Sequence, residues 1–418
     1  MKIKNILGRE VYDSQGFPTL ACDIFLENNR YVTSIVPAGT STGLFEACEL
    51  RDGGERLMGK GVKKAIKIIE TKIAPLFVGE EIDAVEMDRK LLELDPSEQK
   101  NVLGGNTMIA VSMALFKAHA KSLDLELYDF IARVLDNPTI SLPVPLINVI
   151  NGGAHGDARL PIQEFLLIPH GVENFTQAMQ VSAEVFHVLK GLLEKQGRST
   201  ALGAEGGFMP TFENIEQPFD LIMEAVTAAG YSKDMFGIGV DVAATQFYDD
   251  KKKTYSWFGE NKTAEQMIDV YASLSDKYPL LLIEDGLAEQ DWDNWTLMME
   301  QLGTSVYLIA DDLVVSNIYH VAKAVKKSAA NGIIIKPNQV GTISQIFESV
   351  MLCKEYDLNM VASHRSRDSE DTFIADLAVG IGAQFIKTGG LMRSERLSKY
   401  NRLLFIEELQ SLIDLEEL

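Results

Sequence analysis

Short apolar runs recur through the second half of the chain, and each stops on an ionisable residue. Residues 236–240 precede Asp241, 280–283 precede Glu284, 306–310 precede Asp311, 332–335 precede Lys336, 360–363 precede His364 and 383–386 precede Lys387. Runs of this length predict buried strands. Their spacing is close to the roughly 31 residues per strand-helix unit of a parallel barrel, in which strand ends converge on one mouth. One active site would then gather all six side chains.

The first third of the chain reads differently. Residues 4–11, 20–26 and 31–36 predict an antiparallel meander with turn residues at 27–30. Helical periodicity follows over 62–77 and 84–94, then from Asn106, where Met108, Val111, Leu115 and Ala118 share a face and Asn106 is a candidate N-cap. Strands followed by helices predict an α+β unit. Prolines at 138, 143 and 145 break helix formation and set a boundary near 136–142. The expected division is 1–136, a lid or capping domain, and 137–418, a catalytic α/β barrel.

At 418 residues and 46% hydrophobic content the chain has material for two cores. Its 39 basic and 60 acidic residues leave a net charge of −21, which argues against direct nucleic-acid binding and requires a local positive pocket for any anionic substrate. Three separated cysteines suit a reducing compartment, and no apolar stretch approaches the ~20 residues of a membrane span. Cytoplasmic residence is the expectation, and a leaderless surface or secreted pool is compatible with it. Glycine-rich loops at 38–43, 151–156 and 203–208 lack P-loop spacing and read as mobile covers over a site.

Asp241, Glu284 and Asp311 would repel one another unless a cation lay between them, and an oxygen-only set favours Mg²⁺ over Zn²⁺. Taken singly, each acid reads equally as a loop cap or half of a surface pair. Lys336 and Lys387 end apolar strands and need either an anion or a depressed pKa; alone, each reads more simply as half of a structural ion pair. A base at Lys336 requires the depressed pKa. His364-Arg365-Ser366 suits phosphate recognition, His155 lies between small residues in a glycine loop, and Glu205 among glycines could deliver a proton; each also has a plain structural reading. No GxSxG elbow or cysteine motif supports acyl chemistry. Together the set fits proton abstraction beside a metal-bound carboxylate, followed by loss of a leaving group.

With those residues in place, the chain resembles the enolase family from end to end. The resemblance rests on Tyr12-Asp13-Ser14, Ser41-Thr42-Gly43, Glu49-Leu50-Arg51-Asp52, Asn151-Gly152-Gly153, Gln163-Glu164-Phe165, Glu205-Gly206-Gly207-Phe208, Asp311-Asp312-Leu313, Ser363-His364-Arg365-Ser366, the segment 370–376 and Arg393-Ser394-Glu395-Arg396. It implies an α+β N-terminal domain followed by an α/β TIM-type barrel with irregular first strands and helices, and a homo-oligomer built on a dimer, possibly extending to an octamer. It also implies a glycolytic lyase that interconverts 2-phosphoglycerate and phosphoenolpyruvate with two Mg²⁺ ions per site. In that reading Asp241, Glu284 and Asp311 hold the first ion, and Ser41 binds the second as substrate arrives. Lys336 takes the C2 proton, Glu205 protonates the C3 hydroxyl and Glu164 assists. His155 and His364 close around the substrate with Gln163 beside it, Arg365 and Ser366 take the phosphate, and Lys387 contacts the carboxylate.

Several neighbours depart from the family pattern: Gln15 for arginine, Phe17 for asparagine, Ala38 for serine, Phe45 for histidine, Ala204 for aspartate, Gly286 for proline, Pro337 for valine, and Arg367-Asp368-Ser369 for Gly-Glu-Thr. Arg367, Ala204 and the altered lid region motivate one alternative, a paralogue acting on a related phosphorylated acid; a scaffold or binding protein that keeps the fold is a second, of a different class.

Overall fold

A computed structural model describes residues 1–40, 43–137, 140–156 and 159–416. The chain opens with three antiparallel strands, β1 (Ile3–Tyr12), β2 (Pro18–Leu26) and β3 (Tyr31–Ile35), in the order 1-2-3. β2 is buried along nearly its whole length because both its faces are covered. The helix Gly105–Ser122 packs on β2 and β3, and the helical segment 63–77, interrupted by a π turn at Ile69–Ile73, packs on β1. Asn106 is not the N-cap of its helix. That place belongs to Gly104, and the Asn106 amide instead pairs with both backbone groups of Leu50, accepting from N–H at 2.8 Å and donating to C=O at 3.2 Å.

The remaining chain closes a barrel of eight strands. They are β4 (Val144–Asn151), β5 (Glu164–Pro169) and β6 (Phe236–Asp241), then, after the small hairpin sheet β7 (Tyr248–Asp249), β8 (Thr254–Trp257) and β9 (Glu260–Lys262), β10 (Leu280–Glu284), β11 (Tyr307–Ala310), β12 (Gly332–Ile335), β13 (Asn359–Ser363) and β14 (Phe385–Gly389). The irregular opening expected of the barrel lies at β5, which runs antiparallel to both β4 and β6. A fully apolar run pairs equally well in either direction, so composition could not fix its sense.

Inside the barrel lies one apolar layer made by Leu146, Leu166, Ile168, Leu282, Ile309, Ile334, Val361 and Phe385. β6 contributes glycine to this layer, since a Cβ at Gly239 would come within 3.0 Å of the Ile168 side chain. Strand side chains alternate faces, so the residue two places nearer the mouth from each member points the same way. That step leads from Leu166 to Glu164, Gly239 to Asp241, Leu282 to Glu284, Ile309 to Asp311, Ile334 to Lys336 and Phe385 to Lys387. The polar site is therefore the next layer of the same core.

The two parts of the chain are joined by a buried carboxylate. Asp88, on the helix Ala84–Leu94, accepts from Ser112 Oγ (2.8 Å) and from the backbone N–H (3.0 Å) and Oγ (2.9 Å) of Ser344, at the start of the barrel helix Ile343–Glu355. Burial outweighs these hydrogen bonds and pushes its carboxyl up to about 6. A carboxyl raised on folding favours the protonated folded state, so its contribution to stability is full below the unfolded value near 4 and is lost as pH rises through about 6. Unfolding free energies from urea titration of the wild type and Asp88→Asn should therefore differ by an amount that changes by roughly 3 kcal/mol between pH 4 and pH 8, the wild type losing more. Parallel pH profiles would show that Asp88 does not titrate in this window.

Candidate active site

The mouth collects the expected residues from the ends of the strands. Asp241 and Glu284 close β6 and β10, Asp311, Lys336 and His364 directly follow β11, β12 and β13, and Lys387 lies within β14. All are buried except Lys336, whose side chain is 14% exposed. Because β5 is reversed, its first residue, Glu164, faces this same mouth, directly across from Asp241, and Gln163 N–H donates to the Asp241 carbonyl at 3.0 Å. Ser41 lies outside the described residues.

On one wall the carboxylates and ammonium groups interleave. Lys387 Nζ donates to Asp241 Oδ2 (2.8 Å) and Glu284 Oε2 (2.7 Å) and lies 3.5 Å from Glu164 Oε2. Lys336 Nζ pairs with Asp311 Oδ2, whose other oxygen accepts from Gln339 Nε2 at 3.1 Å. Burial alone would lower both lysines. The carboxylates reverse it, Asp311 foremost for Lys336 and Asp241 foremost for Lys387, so both ammoniums are held above their ordinary value. The group facing Lys336 is the Asp311 anion; the depression expected of it rests on neighbouring cations, of which Arg365 and Lys387 act in that direction.

The donor set nonetheless fits a hard divalent cation. Glu284 Oε1 is buried with no hydrogen-bond partner, and burial together with Asp241 pushes the Glu284 carboxyl well above its ordinary value. These are the properties of an oxygen ligand short of positive charge. A tighter carboxylate group, Asp285, Asp311 and Asp312, has ligand oxygens within 4.8 Å of one another. Asp285 is already occupied by the N–H groups of Asp311 (2.9 Å) and Asp312 (3.0 Å), so it braces the metal-side loop.

The opposite wall is an acid pair with a histidine. His155 Nδ1 lies 3.6 Å from Glu164 Oε1 and 3.5 Å from Glu205 Oε2, and His364 Nε2 lies 3.7 Å from the same Glu205 oxygen. Burial and the adjacent Glu205 charge push Glu164 up to about 8. Burial would also raise Glu205, but the His155 cation overrides it and holds Glu205 well below the usual range. His155 in turn is lifted to about 10 against its own burial. Glu164 is thus the member of the pair raised and Glu205 the member lowered, so protonation is favoured on the Glu164 side. His364 is held well below its ordinary value by burial and by the Arg396 guanidinium beside it, so it is neutral.

The Gly203–Phe208 loop that carries Glu205 is not a mobile cover. It is buried and strapped to the barrel: Gly390 N–H donates to the Glu205 carbonyl (2.7 Å) and Gly207 N–H to Asn151 Oδ1 (3.0 Å). Glycines on both sides serve this close approach: a Cβ at Gly389 of β14 (φ +88°) would stand 2.6 Å from that carbonyl, and one at Gly206 (φ +92°) 3.2 Å from Gly390 Cα.

Sequence reasoning missed three residues here. Glu46 holds Arg365 through two hydrogen bonds of 2.9 and 3.2 Å, so the residue expected to take phosphate is paired with a carboxylate from the N-terminal unit. Arg396, fully buried, donates to the carbonyls of Arg365 (2.7 Å), Ser366 (2.6 Å) and Ala204 (3.3 Å). Asn148, buried on β4 one step above Leu146, has neither side-chain atom paired. Only the motif 393–396 hinted at Arg396, and nothing in the spacing pointed to Glu46 or Asn148.

The cavity between the two walls is about 50 Å³, room for a few waters and well under the ~300 Å³ of ordinary ligand pockets. It adjoins an open vestibule of about 830 Å³ bordered by Gly153, Ala154, Phe212, Gln246 and Phe247. The chain matches two family models: "Enolase, N-terminal domain" over residues 3–131, and "Enolase, C-terminal TIM barrel domain" over residues 139–413.

Proposed function

The chain belongs to the enolase family, and on that premise we propose that it interconverts 2-phosphoglycerate with phosphoenolpyruvate and water. The observation that carries this reading is one cavity lined both by an amine, Lys336, and by an acid pair, Glu164 and Glu205. Proton removal from C2 and proton delivery to the C3 hydroxyl need groups placed on two sides of one substrate.

Asp241, Glu284 and Asp311 would hold a divalent cation, magnesium, with Ser41 serving a second. When bound it supplies positive charge that stabilises the negative charge developing on the substrate carboxylate. Lys336, released from Asp311, is left beside Arg365 and Lys387, both of which lower its pKa toward that of a usable base. It takes the C2 proton, and the C–H electron pair moves into the substrate carboxylate as an ene-diolate; that pair then returns to form the C2=C3 bond as the C3–O bond breaks. The single proton shared by Glu164 and Glu205 goes to the departing hydroxyl, which leaves as water. His155 stabilises the carboxylate left behind. Ser366 and an Arg365 drawn from Glu46 take the phosphate, Lys387 meets the substrate carboxylate, and His364 and Gln163 complete the enclosure. Residues 1–136 serve as lid and cap to the barrel of 137–418.

The test is purified protein with 2-phosphoglycerate and Mg²⁺, followed by the ultraviolet absorbance of the enol product. No turnover between pH 6 and pH 9 rejects the reading. Faster conversion of another phosphorylated acid in a substrate panel would assign the chain to a different reaction within the family.

A further inference from the structure

Arg367 directly follows the phosphate-side residues, yet its side chain does not line the catalytic cavity. It is 93% buried, its Nε has no hydrogen-bond partner, and it lies 3.7 Å from Asp13 Oδ2, itself buried and unpaired. Glu49 Oε2 is 4.0 Å from its Nη2, and the guanidinium carbon sits 5.3 Å from the centre of the Phe17 ring. Lys60 covers that ring too, at 3.9 Å. A buried guanidinium is costly unless opposite charge is near, so this cluster holds it in place. The cation-ring contact adds to that hold.

The backbone around Arg367 is tied on two sides. Arg367 and Ala38 exchange both of their backbone hydrogen bonds (2.8 and 2.9 Å), and Thr40 N–H donates to Ser366 Oγ at 2.8 Å. From the other side Ser14 N–H donates to the Asp368 carbonyl at 2.8 Å. Asp13 is fixed by accepting from the N–H groups of Gln15 (2.9 Å) and Phe17 (3.0 Å). Three sequence segments, 13–17, 38–40 and 366–368, therefore meet, and Arg367 provides the side chain that joins the first to the others.

We propose that Arg367 is a positioning residue: clamped between Phe17, Asp13 and Glu49, it seats the 38–40 segment against Ser366 and thereby sets the pocket's affinity for its anionic substrate. Phe17 and Arg367, both departures from the family pattern, would then work as a pair. The affinity half of this proposal rests on the function proposed above; the seating half does not.

The experiment compares wild type, Arg367→Gly and Arg367→Lys by amide hydrogen exchange and by steady-state kinetics with 2-phosphoglycerate. Arg367→Gly is expected to speed exchange at Ala38 and Thr40 about ten-fold with the β13 amides unchanged, and to raise KM about ten-fold with kcat within about three-fold. Arg367→Lys keeps a cation on Phe17 and should restore both. Unchanged protection at Ala38 and Thr40 in Arg367→Gly overturns the proposal, as does loss of protection throughout the barrel without rescue by lysine. If the wild type does not turn over 2-phosphoglycerate, the proposed function fails and the exchange data alone decide the role of Arg367.

Discussion

Lys336→Ala is expected to lower turnover of 2-phosphoglycerate by about 10³–10⁴-fold, the upper part of what a positioned base contributes. Divalent cation binding should survive, because Asp241, Glu284 and Asp311 all remain. It should even tighten, since the ammonium that competes for Asp311 is removed. Isothermal titration with Mg²⁺, alongside the enol assay, measures the two effects separately. Turnover within ten-fold of wild type would remove Lys336 from the role of base. Loss of both turnover and cation binding would make it a structural partner of Asp311.

Glu205→Gln should separate the two halves of the reaction. Exchange of the C2 hydrogen with solvent deuterium persists, because the lysine wall is untouched, while dehydration falls about 10³-fold. Glu164 cannot take over. Its pKa of about 8 depends in part on the neighbouring Glu205 charge, so with glutamine there Glu164 is more readily ionised and the pair loses its transferable proton. Equal loss of exchange and dehydration would count against two separate roles.

These roles were legible in the sequence to different degrees. The strand positions of Asp241, Glu284, Asp311, Lys336 and Lys387 could be read because a charge that halts an apolar run marks the point where a barrel strand leaves the core. The direction of β5 could not, and with it went the geometric reason Glu164 faces the mouth from a strand's first residue. Glu46 is a similar case: its partner Arg365 is 319 residues away, and no local period records such a pairing. The charge states were the least visible of all. Which of Glu164 and Glu205 keeps a proton depends on His155 standing within 3.6 Å of both, and whether Lys336 is raised or lowered depends on which charge it touches. Glycine-rich composition misled at 203–208, where small residues permit tight packing against Gly389 and Gly390 instead of movement.

Arg396 sits near the start of the last helix, Ser394–Glu416. Its one guanidinium reaches the carbonyls of Ala204, Arg365 and Ser366 and the ring of His364. The C-terminal helix is thus a keystone for loops 162 residues apart in the chain, at Ala204 and Ser366. Shortening the protein from that end past Arg396 would strand those acceptors without their common donor and take Tyr400, Leu403 and Ile406 out of the core, so the mouth and the scaffold beneath it would fail together.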